Sequence, residues 1–371
     1  MITIKEVSTR KELKQFIMFP FELYKNNKNW VPPLIMDEWK MLDSTKNPAF
    51  DHCEASYFLA YKDNKIVGRI AAIINHKANV RWDEKRTRFG WIAFIDDPEV
   101  SKALLDAAEA WGAAKGMKGI HGPLGFSDLD PEGMLVEGFE HEPSITTAYN
   151  FSYFSKHLEH LGFRKSVDWV QYKFNAAQEI PDKVKRINEL IMQKYKVEVV
   201  IPKNKKEIMR YAPQFFETLN AAFKDLYGFA ELTDRQIEFY IKAYLGFARP
   251  ELLCFLLDES SNVVGFGISF PSLSKAFQKA KGRIFPFGFL HILKALRKYD
   301  TVDLYFNGVH PDWQKKGIHS LYYVAMNEQY RKHNVKYAIS TGQLETNINA
   351  VGIWDNYEKE PYFRTRCFIK D

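Results

Sequence analysis

Val309-His310-Pro311-Asp312-Trp313-Gln314-Lys315-Lys316-Gly317-Ile318 stands between a strand-like run and a long amphipathic helix. A loop of this shape lets successive backbone N–H groups converge at a helix N-terminus, where the helix dipole also favours negative charge. Lys315 and Lys316 add positive charge beside it. Gly317 frees the backbone for the turn and keeps a Cβ away from an approaching oxygen. The stretch therefore reads as a cradle for a pyrophosphate. The plainer alternative is a strand-to-helix corner with solvated lysines.

Working outward, the chain repeats one arrangement. Tyr57–Tyr61 turns through 62–65 into Ile66–Ile74, and Leu252–Leu257 turns through 258–262 into Val263–Phe270, two hairpins of the same design. Helical periodicity precedes each, over Arg10–Tyr24 and Lys206–Phe223, and follows each, over Leu104–Ala114 and Ile318–Lys332. Each half then closes with a strand, Trp169–Phe174 and Phe363–Lys370. The periodicity breaks near Asn175–Pro181, so the expected units are 1–177 and 178–371. Strands mixed with helices in this order imply an α/β protein of α+β character, a mixed sheet repeated in tandem. A doubly wound dinucleotide fold is not expected, because neither half has a glycine-rich turn after its first strand.

The composition is that of a folded globular protein. A formal charge of +6, spread through helical stretches without a nucleic-acid module, suits an anionic ligand and gives no indication of nucleic acid. Cys53, Cys254 and Cys367 lack metal or disulfide spacing and read as buried thiols, and no metal site is expected. No secretory signal or transmembrane run is evident, so the expected location is cytoplasmic. One segment qualifies this. Gly282–Lys294 is rich in large apolar residues flanked by Lys279, Lys281, Arg297 and Lys298, and suits peripheral membrane contact, cover for an acyl chain, or simple packing.

These residues resemble the GNAT superfamily of acyl-CoA-dependent N-acyltransferases across both halves, most strongly over 252–366. In that family a strand ends at valine, a Gln/Arg-x-x-Gly-x-Gly/Ala loop holds the CoA pyrophosphate, and a helix follows. Val309, Gln314, Gly317 and the helix from Ile318 match those places, while His319 departs from the small residue usual there. The resemblance implies acetyl-CoA or another acyl-CoA as co-substrate, held by Val309 and 314–319, with Asn347 beside them. The acceptor it implies is an amine, either a small molecule or lipid-like. Oligomeric state is left open.

The family's Asn-x-x-Ala signature corresponds to Asn347–Ala350, but Trp354 replaces the tyrosine that serves many relatives as general acid. An indole N–H cannot take that role. Tyr357, one helical turn further on, is the candidate substitute, with a core or cleft-lining tyrosine as the alternative. The position of the family's strand glutamate falls on Leu304. Asp303 and Asn307 have the opposite strand parity, unless a bulge near Gly308 re-aims Asn307. Glu345, after the next strand, is the remaining candidate base. A backbone N–H over Gly308–His310 would polarise the thioester. The first half resembles a degenerate copy: its loop carries Asp96, Asp97 and Glu99, which suit a helix cap and repel pyrophosphate. Its glycine-punctuated segment 121–139 offers His121, Asp128 and, just beyond, His141 as acceptor contacts. The competing class is an inactive acyl-CoA-binding or interaction module.

Overall fold

The computed structural model describes residues 1–347 and 358–371. Its strands are β1 (Ile2–Glu6), β2 (Cys53–Lys62), β3 (Lys65–Asn75), β4 (Arg86–Phe94), β5 (Gly119–Gly122), β6 (Met134–Glu137), β7 (Arg164–Asn175), β8 (Glu198–Val200), β9 (Leu253–Leu257), β10 (Val263–Pro271), β11 (Thr301–Val309), β12 (Tyr337–Ser340), β13 (Gln343–Leu344) and β14 (Lys359–Lys370). The α-helices are α1 (Arg10–Leu23), α2 (Ile35–Leu42), α3 (His76–Arg81), α4 (Pro98–Ala113), α5 (Tyr153–His160), α6 (Asp182–Tyr195), α7 (Lys205–Phe223), α8 (Asp234–Tyr244), α9 (Ser274–Ala280), α10 (Gly288–Arg297) and α11 (His319–Lys332).

Local chemistry sets several boundaries. Thr9 and Glu12 form a reciprocal capping box that starts α1, and Asp97 accepts the Glu99 N–H to start α4. In the β2–β3 hairpin Asp63 and Asn64 both take positive φ, as a tight two-residue turn requires. The three cysteines are free and buried, as their spacing suggests.

One mixed sheet runs β1-β2-β3-β4-β5-β14-β7-β12-β11-β10-β9-β8, with β6 on β14 and β13 on β7. The parallel pairs are β4–β5 and β11–β12, at equivalent places in the two halves. Each closing strand lies against the other half: β14 pairs with β5, and β7 pairs with β12. The two also pair with each other, from Lys359↔Phe174 to Ile369↔Arg164. This exchange is absent from the sequence reading. It gives β5 and β12 the partners that their own halves do not supply, and leaves β1 and β8 as the ends of the sheet.

The largest core lies in the second half around Phe215, Phe255, Phe266 and Tyr322, and the first half has cores around Phe89, Phe94 and Phe154 and around Phe16 and Phe126. A separate cluster fixes α9 and α10 to Leu34 of the first half. No helix of the described residues is long and apolar enough to cross a membrane.

Candidate active site

β11 and β12 pair over only four residues, Thr301↔Tyr337 to Leu304↔Ser340. A last bond from Thr341 N–H to Leu304 O, 3.1 Å, closes the ladder, and the strands then part. A bulge marks the same point. β10 pairs Ile268 with Phe306 but Ser269 with Leu304, so the register steps over Tyr305. The re-aiming bulge thus lies upstream of Asn307 rather than near Gly308. His310 N–H donates to Val264 O at 2.9 Å, on the β10 side. Alternation along the regular segment then turns the N–H groups of Val309 and Asn307 towards the open edge.

The strand runs directly into the cradle. Lys315 has φ +63° and Gly317 φ +76°, separated by Lys316 outside the left-handed region and followed by Ile318 at −64°. Alternation of this kind curls successive N–H groups into a concave nest. Among the described residues, no hydrogen bond takes up the N–H of Lys315, Lys316, Gly317, Ile318 or His319. They sit at the N-terminus of α11, where its dipole adds to their attraction for an anion. An ideal Cβ on Gly317 would meet only Ile191 Cδ1, at 3.2 Å, so its φ is the stronger demand for glycine.

The cradle opens on a cleft of about 770 Å³ between the halves. Asn307, Val309, Gln314, Lys315, His319 and Asn347 line it together. Gln314 Nε2 donates to Val309 O at 3.2 Å, bracing the loop against the strand. Burial lowers the His319 pKa and so favours a neutral ring. Ile318 is buried beneath the loop. Lys316 does not line the cleft; its Nζ stands 4.1 Å over the Trp313 ring.

Glu345 is held elsewhere. It pairs with Lys165, and Arg364 Nη1 donates to its Oε2 at 2.9 Å. Both of its carboxylate oxygens are therefore already engaged. Both cations also contact the buried Asp168, which Arg366 grips in bidentate fashion at 2.8 and 3.1 Å. Asp303 is buried without a well-formed hydrogen bond; burial pushes it up to about 7 although the nearby Ser272 hydroxyl favours the charged form. It is not part of the cleft wall. Tyr357, Ala350 and Trp354 lie outside the described residues.

The same cleft is lined by carboxyls from the first half, Asp128, Asp130 and Glu132, in the loop between β5 and β6. Burial pushes Asp128 up to about 7, with Arg88 opposing and Asp130 reinforcing the rise. Asp130 is pushed up to about 6 by burial, against the Ser127 and Phe126 N–H groups that it accepts. Glu132 is raised well above the ordinary range by burial and by Asp128. The buried Arg88 spans the halves, donating to Gly125 O at 3.2 Å and Gly228 O at 2.6 Å. Of these carboxyls only Asp128 is among the acceptor contacts expected from the sequence. The alternating Asp-x-Asp-x-Glu run was the available signal.

The other named residues of that region do not themselves line the cleft, although Tyr227, the partner of His121, does. His121 Nδ1 lies 3.0 Å from Tyr227 Oη, and His141 stacks on Tyr362 with ring centroids 4.5 Å apart. In the first half, Asp97 caps α4 and pairs with Lys62 at 2.7 Å, so the equivalent helix start already carries its own negative charge.

The chain aligns with a solved tandem GNAT protein from the clavulanic acid biosynthesis pathway at TM-score 0.56, covering 100% of this chain and 98% of that one at 10% identity. The chain has the tandem GNAT fold. The first copy is the degenerate one, its helix start capped by Asp97. By sequence the whole chain is 27% identical to Protein YghO of Escherichia coli over 99% of this chain and 95% of that protein. It is 28% identical to a bacterial ceramide synthase of Caulobacter vibrioides over 94% and 93% of the two chains. No family model matches it.

Proposed function

We propose that this tandem GNAT protein is an acyl-CoA-dependent N-acyltransferase that acts on a lipid-like amine. The observation that carries the reading is the open edge of β11 beyond Leu304, which leads into the unpaired N–H groups of Lys315–His319 beside a cleft that Lys315 and His319 line. A diphosphate fits such a nest by charge and by donor number. An acyl-CoA bound there supplies the electrophile, an acyl carbon that exchanges its bond to sulfur for one to the acceptor nitrogen.

In this reading Lys315 adds charge beside the nest, Gln314 holds the loop in shape, and Asn347 flanks it. The Val309 N–H is the donor for the acyl oxygen, and Asn307 helps to position the acceptor. The carboxyls of Asp128, Asp130 and Glu132 attract an ammonium group, and an ionised member of the set takes its proton. This places the proton acceptor in the first half and gives the degenerate copy a task. We assign 1–177 and 178–371 as the two units, with their closing strands exchanged. The ceramide synthase among the relatives supports a lipid-like amine over a small polar one.

The test is thiol release from short- and long-chain acyl-CoA across a panel of amines, with the amide product identified by mass spectrometry. Amine-dependent thiol release with amide formation is expected. CoA binding without thiol release from any pairing would replace this reading with that of a binding module.

A further inference from the structure

The α9–α10 hairpin has two unlike faces. Inwardly, Leu273, Ala276, Phe277, Ile292 and Leu296 pack against Leu34, and Ile35 N–H donates to Gly282 O at 2.9 Å. Outwardly, Phe285 is 73%, Phe287 69%, Leu290 52% and Leu293 42% exposed. Leu290 and Leu293 are three apart on one face of α10, while Ile292 and Leu296, four apart, face the core. Large exposed apolar side chains are ordinary when scattered, but these are concentrated within nine residues, 285–293.

Charge identifies what covers them. Residues 272–299 contain seven Lys and Arg and no Asp or Glu, whereas the whole chain carries only +6, so the rest is nearly neutral. Lys281, Arg283, Lys294, Arg297 and Lys298, which surround the apolar residues, are exposed. None of them forms an ion pair among the described residues, whereas exposed cations elsewhere do, such as Lys5 with Glu12 and Lys196 with Glu259. An apolar ridge ringed by unmatched cations complements a bilayer with anionic headgroups: the rings and leucines enter the acyl boundary while the ammonium and guanidinium groups stay at headgroup level. A protein partner would require an acidic rim around an apolar groove, and a second copy of this chain would set the cations against one another.

We propose that the α9–α10 hairpin docks the protein onto an anionic membrane surface. Its position adds a consequence that rests on the function proposed above. Phe277 on the inner face, together with Val31, Pro32 and Pro33, walls a second cavity of about 190 Å³ where β4 and β5 part. Asp130 and Thr147 line both that cavity and the main cleft, so the two adjoin. Arg69 and Glu38 line the cavity without an ion pair between them; Arg69 is 7% exposed and its Nε has no partner. An amphipathic amine leaving the bilayer beside the hairpin would find an apolar wall, a polar anchor and then the carboxyls of the cleft.

The experiment is flotation of the full chain with vesicles of phosphatidylcholine alone and of phosphatidylcholine mixed with phosphatidylglycerol. The protein is expected to float with the anionic vesicles, at least tenfold more than with the neutral ones, and to be released by high salt. Phe285→Ser/Phe287→Ser should reduce flotation about tenfold, and Lys294→Glu/Lys298→Glu should do the same. All these side chains are exposed, so folding, followed by circular dichroism, should not change. An absence of flotation with anionic vesicles, or flotation unaffected by both variants, overturns the proposal. So does a concentration-dependent dimer that Phe285→Ser/Phe287→Ser dissolves, because the ridge would then serve self-association. CoA titration of the same preparations separates this result from failure of the proposed reaction.

Discussion

Replacing Asp128 by Asn should make the protein more stable and less active, and the stability gain should depend on pH. Asp128 ionises near 3.8 in an ordinary setting and at about 7 in the folded protein, because burial disfavours its charge and Asp130 adds repulsion that Arg88 does not cancel. At about 1.4 kcal/mol for each tenfold change in proton affinity, that difference costs the fold at most roughly 4 kcal/mol. The sign follows from which state ionises first. Below the ordinary carboxylate range both states are protonated and nothing is lost. As pH rises, the unfolded chain ionises first and the fold loses stability until the folded carboxyl also ionises near 7. Above that the penalty is constant. Asn removes it, so the variant should gain about 2–4 kcal/mol at pH 8 and almost nothing at pH 4. Urea denaturation at the two pH values measures this, and amine-dependent thiol release should fall about a hundredfold. A gain equal at both pH values, or a loss at pH 8, would refute the reasoning.

Other predictions concern the frame and the cradle. Asp168→Asn should cost about 3 kcal/mol, read as a lower melting temperature at neutral pH, because Arg364 and Arg366 lose a buried partner. Burial alone would raise the Asp168 pKa, but Arg366, Lys165 and Arg364 outweigh it and lower it; the stabilisation is therefore present above the ordinary carboxylate range and fades as pH falls through the lowered value. Gly112→Ala should destabilise by about 1–3 kcal/mol despite the better helix propensity of alanine, since its Cβ would fall 1.7 Å from Thr87 Oγ1. A thermal melt measures the change. Lys315→Gly relaxes a residue at φ +63° and keeps its N–H, so calorimetry should show CoA affinity reduced only about threefold, by the loss of one cation.

Much of this organisation was legible in the chain because it is local. The β2–β3 and β9–β10 hairpins, the α11 helix and the turn at Gly317 are written in residues that are neighbours in sequence. The exchange of β7 and β14 is not, since each strand carries the same pattern whichever half it joins, and the partners they take lie far off in the chain. Strand parity alone also misplaced the bulge, which belongs to the β10 register rather than to a glycine. Glu345 looked available because its partners Lys165 and Arg364 are distant in sequence. For the same reason Asp130 and Glu132 read as loop polarity, whereas folding places them with Asp128 in the cleft that β11 also lines.

Titration of the intact protein with CoA by calorimetry, alongside Gly317→Glu, tests the central claim most directly. The account predicts saturable binding to the wild type, weakened more than tenfold in the variant by the added negative charge and by a side chain at φ +76°, with the fold retained. No binding at millimolar CoA, or equal binding by both proteins, would contradict it.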